Sequence, residues 1–174
     1  MPKLFRLSGH DIVEDRANAP FVTLADGDRL PPVGGVIVSL ARFRSEGDAL
    51  SEGERPLGVR LPPEEPVENL AGDLPQLALV ALEFPKFRDG RALTAATLLR
   101  ERFGYKGEIR AVGDVLREQA HVMVRCGFDA FEPADDSTPE SFRRSAFRFH
   151  HVYQAAADDR PPAFVERAAA GQEA

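Results

Sequence analysis

Between an apolar run ending at Leu82 and a helical pattern beginning near Arg91, the chain reads Glu83-Phe84-Pro85-Lys86-Phe87-Arg88-Asp89-Gly90-Arg91. Three cations and two aromatic rings in so short a stretch suit recognition of a small anion or of a partner surface. Guanidinium groups grip carboxylate, phosphate or sulfate oxygens in a planar fork, and a lysine adds a point charge. A structural alternative stands beside this one: Asp89 caps the helix, Arg91 is solvated, and both phenylalanines close the core. The stretch Gly113-Asp114-Val115-Leu116-Arg117-Glu118-Gln119-Ala120-His121-Val122-Met123-Val124-Arg125-Cys126 carries the other reactive types. Asp114 is a candidate general base, or else the cap of the following helix. Gln119 projects onto the apolar side of that helix, where an amide needs partners. It either bonds a neighbouring loop or lines a pocket with Asp114. Arg117, His121 and Arg125, spaced by four, read as a solvated row. Cys126 sits near the helix C-terminus on the apolar side, without the dipole or cations that make a thiolate, and reads as inert core.

The bulk properties narrow the field. The chain of 174 residues carries 28 acidic and 22 basic side chains, for a net charge of −6. That balance argues against a general nucleic-acid binder, which needs a basic surplus or stripe. A small anion is still compatible, because one pocket can be positive on an acidic protein. A single cysteine rules out an intramolecular disulfide and a cysteine-only metal or cluster site, and it fits a reducing, cytoplasmic setting. No apolar run approaches the roughly 18 residues of a membrane helix, and the charged N-terminus lacks a signal-peptide core. The histidines show no zinc spacing. Gly34-Gly35 precedes a strand instead of following it, so no Rossmann phosphate turn is formed, and no P-loop or nucleophile elbow is present. No redox cofactor is expected, although flavin or nicotinamide sites without a glycine signature stay open.

The elements that must position these residues follow from periodicity. Val36–Leu40, Leu57–Leu61, Leu77–Leu82, Ile109–Val112 and Ala130–Glu132 are short apolar runs of the kind covered on both faces. Helical patterns separate them: about 42–50, a stretch opening at Pro63, 92–103 ending at Gly104, 114–126, and 138–152. Alternation of this sort predicts an α/β domain with about five mostly parallel strands and crossover helices. An open doubly wound sheet is expected, with a partial β/α barrel as the alternative. One domain covers residues 1–153. Within it, 1–32 form an extended arm or hairpin with candidate strands Leu4–Leu7 and Phe21–Leu24, and 154–174 form a loose tail or docking segment.

Either architecture places function at the C-terminal ends of the strands. That rule collects Arg42, Lys86, Arg88, Arg91 and Gln119 as an anion-binding set, Asp114 as a base, and Phe84 and Phe87 as docking side chains.

The segments EFPKFRDGRALTAATLLRERFGYKGEIRAVGDVL and REQAHVMVRCGFDAFE, with weaker support from GVRLPP, together resemble a bacterial family of uncharacterised proteins. That family is described as oxidoreductases of sulfite reduction, because its genes neighbour assimilatory sulfite or nitrite reductase. The resemblance is densest over residues 77–133. It implies a cytoplasmic accessory protein of sulfur assimilation whose partner is the sulfite reductase system. An enzyme acting on a small sulfur oxyanion or sulfonucleotide is the first alternative and a structural α/β module the second; a small anion and a second copy of the chain are the other partners left open. A reductase must hold electrons on a cofactor, metal or thiol pair, and this chain offers no recognised motif for one.

Overall fold

In a computed structural model, residues 3–15, 21–51, 55–158 and 160–170 are described. The strands are β1 (Phe5–Ser8), β2 (Asp11–Glu14), β3 (Phe21–Thr23), β4 (Gly35–Ser39), β5 (Leu57–Leu61), β6 (Leu79–Phe84), β7 (Glu108–Gly113) and β8 (Ala130–Phe131). The helices are α1 (Leu40–Ser51), α2 (Arg91–Thr97), α3 (Ala120–Arg125), α4 (Pro139–Ala146) and α5 (Ala163–Ala170). None is long and apolar enough to cross a membrane.

The strands form one sheet in the order β2-β1-β8-β7-β6-β5-β4-β3. All five expected strands are present, and from β3 to β8 every neighbour is parallel and next in sequence. Strand direction alternates side chains between the two faces. Val36, Val38, Val59, Leu82, Phe84, Ile109 and Phe131 join one large core with Phe43 of α1, Ala96 of α2, Met123 of α3 and Phe142 of α4. The opposite face contributes only Ile37, Leu79, Ala81 and Val112, with Phe21 against them. Helices α1 to α4 therefore pack on one side. A doubly wound sheet needs a reversal of strand order with helices on both faces. This sheet has neither, so the partial barrel replaces the doubly wound expectation.

Connectivity forces the sheet to curl. Edge strands β2 and β3 are seven residue steps apart, from Glu14 to Phe21, a reach of about 25 Å at most. Eight flat strands would put those edges about 34 Å apart. A contact across the concave face reports the same curvature: the Arg110 guanidinium of β7 lies 5.9 Å from the Phe21 ring centre of β3. Both candidate strands of the N-terminal arm are present, as β1 and β3, and they do not pair with each other. Phe5–Ser8 forms its hairpin with Asp11–Glu14, while Phe21–Thr23 crosses to the far edge beside β4. Residues 1–2 and 16–20 of the arm lie outside the described residues.

The concave face holds a chain of charges that sequence reading missed. Arg6 pairs with Asp15 at 2.6 Å and with Glu108, and Arg110 pairs with Glu108 at 2.7 Å and Glu132 at 3.1 Å. The expected loose tail is also tied in. Arg125 holds Asp158 at 3.2 Å and the carbonyl of Gln154, and Ala163 N–H donates to the Val152 carbonyl. Arg125 is thus no part of a solvated row, because residues 154–158 cover that helix face. Residues 159 and 171–174 of that segment lie outside the described residues.

Gly113 ends β7 with φ at +93°, and a Cβ there would lie 2.4 Å from the Phe84 carbonyl oxygen. Gly113→Ala is expected to lower stability by more than about 2 kcal/mol, since strain and a backbone clash add. Urea unfolding checks this, and a change within about 0.5 kcal/mol would contradict it.

Candidate functional site

The loops after β5, β6 and β7 meet at the C-terminal edge of the sheet. Period-two alternation along β6 sends Val80, Leu82 and Phe84 to the helix side. Phe84 is fully buried against Phe128, with ring centres 5.8 Å apart. It is a core residue, and the docking role expected of it is withdrawn. Phe87 lies beyond the strand end and is 43% exposed.

The loop carrying Phe87 is held from two directions. With Gly113 in its left-handed conformation, the Asp114 N–H donates to the Phe84 carbonyl at 2.7 Å. The Asp114 carboxylate then accepts from the Phe87 N–H at 2.7 Å. Gln119 donates its amide to the Phe87 carbonyl at 2.8 Å and accepts from Leu116 N–H at 3.4 Å. Both backbone polar groups of Phe87 are thereby fixed by side chains from the next βα connection. Asp114 does not cap the following helix, whose first turn starts at Arg117 after Leu116. Asp114 and Gln119 do come together, around the loop backbone and away from Arg91.

The cations divide into two groups. Arg42 is 7% exposed, and its three nitrogens bond Glu46 and the carbonyls of Ala25 and Asp28 at 2.8–3.0 Å. It fastens the β3–β4 loop to α1 and faces no anion site. Arg91 bonds both oxygens of Asp89 and reaches Glu64 at 3.2 Å. Asp89 also accepts from the Arg91 backbone N–H, but the N-cap of α2 is Gly90, so Asp89 stands one residue before the cap its sequence reading gave it. The guanidinium bonds hold the Asp89 carboxyl down to about 2. Lys86 and Arg88 are exposed, and neither is among the ion pairs of the described residues. Cys126 is half-buried, and burial pushes its thiol up, opposite to what a nucleophile needs.

Two clefts flank the loop. An apolar one of about 280 Å³ lies between the Pro62–Glu68 connection and α2, with Arg91 in its wall. A polar one of about 460 Å³ spans the ends of β3 to β6, lined by Thr23, Asp26, Ser39, Arg60 and Glu83 among others. In it Arg60 and Glu83 form a two-pronged pair at 2.8 and 3.1 Å, and Ser39 donates to Asp26 at 2.6 Å. The sequence signal for Arg60 was a charge at an inward position of an apolar strand.

The Phe87 clamp yields a prediction. Asp114→Ala leaves the Phe87 N–H without its charged acceptor, and a loss of about 1.5–3 kcal/mol is expected. Amide exchange at Phe87 and Asp89 should rise while far-UV circular dichroism is unchanged. Unaltered exchange at Phe87 would show that the clamp is not what orders the loop.

No curated protein matches the chain. A family model does, over residues 58–164, which contain the whole clamp, all of β6 to β8 and all of β5 but its first residue. The match covers more than half of the chain, and the protein belongs to that family, described as bacterial protein of unknown function (DUF934).

Proposed function

We propose that the chain is an accessory protein of assimilatory sulfite reduction, with no redox cofactor of its own, that docks to the sulfite reductase system through Lys86-Phe87-Arg88. One observation carries the docking part: an exposed aromatic ring between two exposed cations, neither ion-paired among the described residues, sits on a loop whose backbone is clamped at Phe87. Aromatic anchors dominate binding energy when they enter a pocket on the partner. A loop ordered beforehand loses less entropy on binding. Flanking cations speed encounter with an acidic surface and penalise a basic one. The sulfur-assimilation part rests on the resemblance of residues 77–133.

An enzyme acting on a sulfur oxyanion draws on fewer groups. Of its four cations, Arg42 and Arg91 are committed to internal partners, and the Asp114 carboxylate already accepts from Phe87.

The test is capture of purified sulfite reductase haemoprotein on the immobilised protein. Wild type should retain it at low salt and lose it progressively as ionic strength rises. Phe87→Ala and Lys86→Glu/Arg88→Glu should each weaken retention at least about tenfold. Absence of retention by the wild type, or retention indifferent to these substitutions, would remove the proposal and leave a structural module. The absorption spectrum of the purified protein should show no band above the aromatic region. A flavin spectrum would overturn the cofactor-free part.

A further inference from the structure

The apolar cleft beside the loop has dimensions and chemistry that complement the loop itself. Leu61, Pro66, Val67, Leu82, Ala95 and Leu98 line a space of about 280 Å³ that opens to the surface. A cavity of about 150 Å³ lined by aliphatic side chains accepts benzene, so a phenylalanine ring fits here with room for its approach. Glu64, Glu65 and Glu68 stand on the rim. Each of them makes a single ion pair, at 3.2–3.6 Å and exposed. Pairs of that kind contribute little and exchange readily. Against this stands the tip, where an exposed phenylalanine lies between Lys86 and Arg88, neither of them ion-paired among the described residues. Tip and cleft are neighbours on one face: Arg91 bonds Asp89 at the base of the loop and also lines the cleft.

We propose that two copies of the chain pair across this face, the Phe87 ring of each entering the apolar cleft of the other. Lys86 and Arg88 of one copy then meet Glu64, Glu65 and Glu68 of its partner. Because both halves of the contact are present on one surface, a two-fold axis between them closes it, and no filament is required. The net charge of −6 opposes self-association in general. The pairing therefore depends on the local complementarity of this face, and its Lys86 and Arg88 contacts with the rim carboxylates are the part that salt weakens. This inference rests on the reading of the loop as a docking element, and it makes the dimer a state in which that loop is covered until the reductase competes for it.

Sedimentation equilibrium over a concentration series tests the pairing. Wild type should move from monomer to dimer. The tip variant Lys86→Glu/Arg88→Glu and the rim variant Glu65→Lys/Glu68→Lys should each associate at least about tenfold more weakly. Mixing the two variants should restore a heterodimer, since one of its two contacts is then native and the other is charge-swapped. The tip residues are exposed and bear no folding load, so the result does not hang on the rim variant alone. A wild type that stays monomeric, a tip variant that dimerises like wild type, or a mixture that fails to associate would each overturn the proposal. A monomeric wild type that still captures the reductase would sink the dimer alone. A dimer that captures no reductase would sink the assigned function alone.

Discussion

One-sided winding is the constraint on which the rest of the structure depends. From β3 to β8 each strand is laid beside the one before it, and α1 to α4 return over the same face. Among the described residues, no helix contributes to the core of the opposite face. Connectivity brings β2 and β3 within reach of each other, and the sheet closes on itself as far as a half-barrel. Curvature then shields the concave charges. Arg110, 2% exposed, is tolerable there only because Glu108 and Glu132 sit on its own and the adjacent strand.

The same winding gathers the loops after β5, β6 and β7 at one edge in the order of the strands. Neighbouring loops can therefore support one another. Gly113 and Asp114, at the end of β7, exist in this conformation to receive the loop from β6. Gln119, one turn later, completes the support. Much of the polar chemistry between Glu83 and Gln119 thus belongs to one loop and its brace. What the brace presents to solvent is a ring and two positive charges, a composition suited to a partner more than to a small substrate.

Local chemistry was legible and long-range pairing was not. The five parallel strands were visible because each is a short unbroken apolar run. Gly104, at φ +60°, was visible because helix ends have residue requirements, whereas the last helix stops at Ala146, short of the expected 152. The placement of Phe21 was not visible, because three residues of extended chain carry no mark of which edge they will join. Phe84 and Phe87 looked alike until strand direction put one inside and the other beyond the strand end. Arg42 looked like an anion ligand because its partners are the backbone carbonyls of Ala25 and Asp28, and a carbonyl acceptor leaves no trace in residue type. The amide of Gln119 was correctly singled out as needing partners, while the identity of those partners came only with the fold.

The account stands on Phe87 as the point of contact with the sulfite reductase system. A photo-crosslinking phenylalanine analogue placed at Phe87 in growing bacteria addresses that point directly. The account predicts a covalent product with the reductase haemoprotein that disappears when Lys86 and Arg88 are reversed in charge. Products confined to a second copy of the chain, or no product with the reductase at all, would contradict it.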